Sequence, residues 1–470
     1  MPINAQHPQY TEHLSQWQRC RDAVKGSDAI KARRSEYLPT LGGQTVDEYD
    51  AYLMRALWYG ASARTVQGLT GAIMRKEPTV EAPKALDDHL KDVTLTGISF
   101  PAFAKTILEE VLKTGRAGVL VDMPAGDHDS KRPYYAAYTA ESIVNWKTIM
   151  VAGIPKLVLV VLCERLWQPK DDDPYTLEAI EQYRVLRLAK NLYEQETFRL
   201  SKDKKDEWVS MGVLLPTFRG QRLDYIPFCF FGADTITPEI EKPPLLDLVD
   251  VNLSHYRSSA DLELGRHFCG LPTPWVAGFP ETTVLKIGST VAWVSSSPEA
   301  RAGMLEFTGQ GLGALERALE SKEKLMAVLG ARLLEEAKSA VEAADTLTLR
   351  FSGEQSVLRA VAGSVSTGLS KLLEWAATWS GVSPEEAKKA AAKLNTDFCD
   401  VKMTFVELEA LIRTWQAGAM SYETMYYNME RGEVTRPGID WRKEKAQIDM
   451  EHPPILPQDE PEVELPLVEV

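Results

Sequence analysis

The chain has 470 residues, 44% of them hydrophobic and 26% charged, which is more than one hydrophobic core usually organises, so two or more packed regions are expected. A net charge of −14 argues against a protein that grips nucleic acid, because tight grip needs a basic surface that displaces counterions from phosphates; the same charge also fits an ordinary soluble protein. The five cysteines Cys20, Cys163, Cys229, Cys269 and Cys399 are far apart and form no CxxC, which argues against a zinc site or a disulfide framework and for reduced thiols.

The opening residues Met1 to Tyr10 are polar and do not read as a signal peptide. The longest apolar run, Leu157 to Cys163, is far short of the roughly 20 residues of a membrane helix. A soluble protein made in the cytoplasm is the expectation.

Residues 1 to about 115 read as helices. Tyr49, Tyr52, Leu53, Ala56 and Leu57 recur at helical spacing, with Asp47 as the N-cap. Phe100 to Lys113 forms a second helix, with Pro101 in its first turn and Gly115 as its stop. The texture then becomes β-rich: Gly118 to Asp122, Lys156 to Leu166, Tyr183 to Leu188, Leu192 to Leu200, Trp208 to Val213 and Tyr225 to Phe231 read as strands. Polar loops around Asp127-His128-Asp129 and Asp171 to Pro174 separate them.

After Pro243-Pro244, a stripe of Leu245, Leu248, Val249, Asn252, Tyr256, Ala260 and Leu264 predicts a helix of about 25 residues. Gly270, Pro272 and Pro274 end it, and a short β-like insert follows around Trp275-Val276, Val284 to Ile287 and Val291 to Val294. The helical period returns with Leu312, Leu315, Leu319, Met326, Leu329 and Leu333. Ala344 to Ser352 alternates and reads as extended. Leu358, Val361, Ala362, Val365, Leu369, Leu372, Leu373 and Ala376 make the clearest amphipathic helix. Shorter helices are expected at Ser383 to Lys393, at Thr404 to Gly418, and from a cap at Ser421 to Arg431. The tail from Met450 to Val470 holds five prolines and many carboxylates and is expected to be disordered or peripheral.

Motifs that carry chemistry are sparse. There is no GxxxxGK[ST], and Gly309, Gly311 and Gly313 read as a flexible approach to a helix rather than a phosphate cradle. Gly363-Ser-Val-Ser366 lies in a helix pattern and lacks the second glycine of a nucleophile elbow. His255 and His267 are twelve residues apart on one helix, too far to chelate one ion, and read as surface or interface residues. The Asp127–Asp129 and Asp171–Asp173 loops read as solvated acidic turns, with a divalent-cation loop as the alternative. Arg317, Lys322, Lys324 and Arg332 cluster on one helix among Glu316, Glu320, Glu323 and Glu335. Glu320 and Lys324 stand at the i, i+4 spacing of a surface ion pair. In one copy these are ordinary surface charges; in a ring each would repeat into a charged girdle. No catalytic, cofactor or metal residue is assigned.

Several short motifs in a fixed order carry a resemblance. They are Trp17-x-x-Cys20-Arg21-Asp22-x-x-x-Gly26, Tyr37-Leu38-Pro39, Tyr49-x-x-Tyr52-x-x-Arg55-Ala56, Arg64-Thr65-Val66-x-Gly68-Leu69-x-Gly71 and Arg75-Lys76-x-Pro78. Pro133-Tyr134-Tyr135, Tyr138, Ile143-x-Asn145-Trp146, Pro244-Leu245-x-Asp247-Leu248-x-Asp250-x-Asn252-x-x-His255-Tyr256 and Leu271-Pro272-Thr273-Pro274 continue the series. Together with the helix, β insert, returning helix order, they resemble the portal proteins of tailed bacteriophages over most of residues 10 to 435.

The resemblance implies an α+β, mainly helical subunit that assembles as a dodecameric ring. It places a wing at 1–243 (helical, then β-rich), a stem helix at 244–269, a clip at 270–310, a returning stem helix at 311–337 and a tunnel loop at 338–356. A long wing helix at 357–380, a C-terminal helical wing or small crown region at 381–449 and the acidic, proline-rich tail at 450–470 complete it. The insert is short for the family's clip, and the region after the wing helix is modest. The implied function is a structural, non-enzymatic channel at one capsid vertex for genome packaging and ejection. The implied partners are other copies of itself, the large terminase, a head–tail adaptor, the major capsid and scaffolding proteins, and double-stranded DNA passing non-specifically, with no membrane and no cofactor. The implied location is the virion's portal vertex, and the host cytoplasm during assembly. Lys338, Asp345, Arg350 and Glu354 are expected to line the DNA tunnel, and Arg317, Lys322, Lys324 and Arg332 to be stem charges. A low-adhesion acidic wall suits a duplex carrying about one charge per 1.7 Å of axis. Two other readings are a capsid-associated scaffold or adaptor without a channel and a metal-dependent hydrolase built on the acidic loops.

Overall fold

The computed structural model describes residues 3–124, 132–170, 173–201, 207–218, 220–271, 273–279, 292–305, 309–334, 357–396, 398, 405–431, 434–435 and 439–451. It is α+β and divides into two units, residues 1–397 and 398–470.

The larger unit begins with four helices, α1 (Pro8–Lys25), α2 (Ser27–Ala32), α3 (Val46–Arg55) and α4 (Ala61–Ile73). The α3 cap differs from the sequence expectation. Thr45, not Asp47, is the N-cap: its hydroxyl accepts from the Glu48 backbone N–H at 3.3 Å, and Glu48 accepts from the Thr45 N–H at 2.8 Å. This reciprocal box satisfies two otherwise orphaned donors, while Asp47 sits within the first turn, where its charge favours the helix dipole.

Strand β1 (Thr79–Glu81), α5 (Asp87–Lys91) and α6 (Phe100–Thr114) follow. The apolar spacing of α6 buries Phe100, Phe103, Ala104, Ile107, Leu108 and Val111. It stops at Gly115, which has a positive φ of 67° and lies so close to the backbone of Lys242 and Pro243 that a Cβ would meet them at 3.2 Å.

The chain then enters two antiparallel sheets. Strand β2 (Arg116–Asp122) is buried along its whole length, because β3 (Tyr134–Thr139) and, from far along the chain, Phe228–Gly232 flank it. Strands β4 (Ile143–Val151), β5 (Ile154–Lys170), β6 (Asp173–Ala189), β7 (Leu192–Leu200) and β8 (Trp208–Leu214) form a five-stranded meander in sequence order. After β9 (Thr217–Phe218) and β10 (Gln221–Arg222), β11 (Phe228–Gly232) closes the three-stranded sheet. One hydrophobic cluster lies between the sheets and α1, built from Trp17, Leu120, Trp146, Leu162, Leu186, Tyr193, Phe228 and Phe230. Gly118 is required there: a Cβ would sit 2.3 Å from the Phe228 ring.

Two strands are longer than their sequence pattern suggests. β5 and β6 continue past the rest of the sheet through the pairs Trp167–Ala179 and Pro169–Leu177, so the acidic segment near Asp173 is the tip of a projecting hairpin rather than a broad loop. The Asp173 carboxylate accepts from the Tyr175 N–H at 2.9 Å and from the Thr176 hydroxyl, stabilising that turn.

Helix α7 (Leu246–Gly270), strands β12 (Thr273–Ala277) and β13 (Arg301–Leu305), and α8 (Leu312–Leu334) come next. The segment read as strand at Val291 to Val294 is not one where it is described, at residues 292–294. Arg301–Leu305 pairs with β12 instead, because Gly303 leaves room for the Trp275 indole: a Cβ added at that glycine would lie 2.8 Å from the indole Nε1. Val284 to Ile287, Asp127 to Asp129 and Ala344 to Ser352 lie outside the described residues.

Helix α9 (Val357–Trp379) seats Leu358, Val361, Ala362, Val365, Leu369, Leu372 and Ala376 in the core, and Gly368 lets the Phe231 ring approach. The helix expected over Ser383 to Lys393 is a single turn, α10 (Pro384–Ala387), followed by strand β14 (Ala391–Lys393). Tertiary contacts override helical propensity here. β14 pairs with β1, and the α9 hydroxyls of Ser370 and Ser366 accept from the N–H groups of Ala392 and Leu394, both at 2.9 Å.

The smaller unit contains α11 (Phe405–Gln416), α12 (Tyr422–Arg431) and α13 (Trp441–Glu451). Ser421 caps α12 by accepting from the Thr424 N–H at 3.2 Å. Tyr422 contacts the rings of Trp415, Tyr426 and Trp441, joining the three helices. Most of the tail, 452–470, lies outside the described residues.

Leu369 is fully buried where α9 meets the core. Leu369→Ala should cost about 2–5 kcal/mol in chemical denaturation, and a loss below about 1 kcal/mol would show that α9 is not seated as described.

Candidate assembly hairpin

Helices α7 and α8 run side by side, joined through the β12–β13 hairpin. The two ends of this element have different environments. Toward its start, α7 buries Leu246, Leu248, Val249, Leu253, Tyr256 and Ala260 against the N-terminal helices. Polar bonds fix its angle. Asn252, fully buried, accepts from the Ser62 hydroxyl at 2.9 Å and donates to the Tyr59 carbonyl at 2.9 Å. Tyr52 donates to Asp261 at 2.6 Å, Arg257 donates to the Tyr37 carbonyl at 3.1 Å, and Arg19 pairs with Asp250 at 3.1 Å. Sequence periodicity placed Asn252 on the buried face, but Ser62 lies 190 residues away and leaves no local signal.

Beyond Leu262 no residue of α7 is buried, and among the described side chains of α8 only Met326 is. Phe268, Leu271, Trp275, Met304, Leu305, Leu325 and Val328 are all more than 40% exposed. Single exposed apolar residues are ordinary; a series of them along one projecting element marks a contact surface.

The seam between the helices is polar. Lys322 donates to the Ser258 hydroxyl at 2.7 Å and to the Ser254 carbonyl at 3.1 Å. Arg266 donates to Glu316 at 2.9 Å. His255 meets Glu323 at 3.2 Å, with the Tyr59 ring beside it. Gly265 allows the closest crossing, since a Cβ there would lie 2.5 Å from Leu312.

Of the surface or interface positions that the sequence suggested for it, His255 takes a buried one in the seam between α7 and α8; its Nδ1 is buried without a partner among the described residues. Burial holds its pKa below the ordinary 6.5, with Glu323 pulling in the opposite direction and Lys322 reinforcing the drop.

The expected stem charges separate into different roles. Arg317 and Lys324 are exposed, whereas Lys322 is turned into the seam, where burial lowers its pKa. The expected Glu320–Lys324 pair is not formed: among the described residues Arg317, Glu320 and Lys324 have no ion-pair partner. Arg332 lies on α8 with its side chain outside the described set, and Lys338, Asp345, Arg350 and Glu354 lie outside it entirely.

Two clefts run along one flank of α8. The lower, about 580 Å³, is lined by Trp58, Tyr59, Leu319, Glu316, Glu320 and Glu323 among others. The upper, about 380 Å³, shares Tyr59 and Glu323 and is bordered by Arg64, Gly68, Met326 and Gly330. Among the described residues no cluster of three His, Cys, Asp or Glu side chains is arranged to hold a metal ion, and no helix is long and apolar enough to cross a membrane.

Residues 244–380, from just before α7 to just after α9, match a family described as a domain of unknown function, DUF4055. No curated protein matches the chain. Among solved structures, a chain of the "Virion of native gene transfer agent (GTA) particle" is similar at 12% identity and a TM-score of 0.37, covering 83% of this chain and 95% of that one. A chain of the "Neck of native GTA particle computed with C12 symmetry" is similar at 12% identity and a TM-score of 0.37, covering 80% and 92%.

Two outcomes test this geometry. Asn252→Ala strands the Tyr59 carbonyl and the Ser62 hydroxyl and should cost about 1–3 kcal/mol in thermal or chemical melts. The pH dependence follows from His255. Its folded pKa lies below 6.5, so the folded chain binds fewer protons than the unfolded one. The contribution of neutral His255 is complete above 6.5 and is lost as pH falls through the lower, folded value. His255→Gln should therefore flatten melting temperature against pH in the weakly acidic range; an unchanged slope would assign that dependence to other groups.

Proposed function

We propose that this chain is the subunit of a ring-shaped portal, a structural channel through which double-stranded DNA enters and leaves a phage-like capsid, and that it has no catalytic role. The observation that carries the reading is the α7–β12–β13–α8 hairpin, rooted in the core at one end while no residue of α7 beyond Leu262 is buried and Phe268, Leu271, Trp275, Met304 and Leu305 are exposed at the other. A helical pair that leaves this much apolar surface uncovered in one copy calls for other subunits, and repeated heterologous contacts satisfy that need by closing a ring. The ordered sequence motifs from Trp17 to Pro274 support the portal assignment.

In this reading α7 and α8 are the stem, and residues 270–310 form the clip that docks the terminase motor and later the head–tail adaptor. The loop at 338–356, with Lys338, Asp345, Arg350 and Glu354, faces the passing DNA. The two sheets with α9 make the wing, which meets capsid and scaffolding proteins. The location is the portal vertex of the virion, reached by assembly in the host cytoplasm. The net charge of −14 suits a channel in which DNA slides, because an acidic wall releases no counterions from the duplex.

Negative-stain imaging of the purified full chain tests this directly. Rings with a central hole, of about twelve subunits, are the expected result. A chain that stays monomeric at every concentration and salt condition would overturn it.

A further inference from the structure

The exposed surface of α8 has two unlike sides. With 3.6 residues per turn, Glu316, Glu320 and Glu323 share one side, and Arg317, Lys324 and Val328 share another about 100° round the helix. The first side lines the lower cleft, where Trp58, Tyr59 and Leu319 supply apolar walls and Glu263 adds a further carboxylate to the rim. The second side is a ridge. Val328 and the adjacent Leu325 are 46% and 47% exposed, and the flanking Arg317 and Lys324 have no ion-pair partner among the described residues. One helix thus carries an acidic, partly apolar groove and a basic, partly apolar ridge that do not overlap.

From this we infer that the occupant of the groove is the α8 ridge of a second copy of this chain, with Leu325 and Val328 inserted between the groove walls and Arg317 and Lys324 set against the Glu316–Glu320 rim. The inference rests on the ring reading and specifies its interface. Charge complementarity selects a second copy: a basic apolar ridge fits an acidic apolar groove, and both belong to every subunit. Because the two surfaces are distinct, each copy donates its ridge to one neighbour and receives the ridge of the other. Such a head-to-tail contact, in which ridge and groove engage two different neighbours, closes by forming a ring. It also explains why Glu320 and Lys324, four residues apart on one helix, do not pair with each other: each is left for the neighbour. Arg266 and His255, which engage Glu316 and Glu323 within the chain, leave Glu320 as the uncompensated charge at the groove centre.

Two full-length variants provide the test. E320K makes the groove centre basic like the ridge while leaving the Arg266–Glu316 bond of the seam in place, and R317E/K324E makes both surfaces acidic. Arg317, Glu320 and Lys324 are all exposed, and circular dichroism and melting should confirm that each variant stays folded. Native mass spectrometry and light scattering should show the wild type as rings that weaken as salt screens the contact. Each variant alone should lose assembly by at least about tenfold in the concentration required, equivalent to about 1.4 kcal/mol per contact. An equimolar mixture should restore rings in which the two variants alternate, with an even subunit count and equal numbers of each. If both variants assemble alone as the wild type does, the interface lies elsewhere while the ring reading stands. If both fail alone and the mixture fails too, pairing between ridge and groove is wrong. A wild type that never assembles removes the ring and this interface together.

Discussion

The geometry of the protein depends on how α7 is anchored. Asn252 sits fully buried and spends its side-chain amide on two partners, the Ser62 hydroxyl and the Tyr59 carbonyl. A buried amide left unsatisfied is costly, so the helix is held at the one angle that serves both. Everything C-terminal to that anchor follows its direction: the second half of α7 leaves the core, β12 and β13 turn at its end, and α8 returns alongside. An assembly surface is useful only if it is presented rigidly, and this buried polar anchor gives the projecting hairpin a fixed root.

The seam of the hairpin adds a second constraint. A pair of helices joined by leucines alone would slide; Lys322, Arg266 and His255 each reach a defined partner across it. Hydrogen bonds have direction where apolar packing has little, so they set the register of α8 on α7. That register in turn decides which side chains line the groove and which form the ridge. The same requirement explains why the chain tolerates a buried histidine, whose neutral form the seam favours.

Sequence periodicity was sufficient for α6, α7 and α9, because each buries one continuous stripe, and for much of the β-rich middle, where β-branched and aromatic residues cluster, but it did not mark β3 or β4 as strands. It was insufficient where distant groups decide local structure. Ala391–Lys393 is strand because β1 and two α9 serines hold it. Arg301–Leu305 is strand because Trp275 packs over Gly303. The hairpin tip at Trp167 and Leu177 extends because its strands pair with each other and need no further neighbour. In the site, the apolar stripe of α8 and its interleaved charges were legible. Which charges turn inward, as Lys322 does, and which remain unpaired among the described residues, as Arg317, Glu320 and Lys324 do, follows from the packing of α7 and has no local signature.

The central claim is that the exposed flanks of α8 become buried between subunits. Hydroxyl-radical footprinting of the full chain, before and after assembly, reads this at single residues. The account predicts strong protection of Leu325 and Val328 on assembly, while Trp167 and Tyr175 at the hairpin tip between β5 and β6 keep their labelling relative to the monomer. Oligomers that form with Leu325 and Val328 labelled as in the single chain would contradict it.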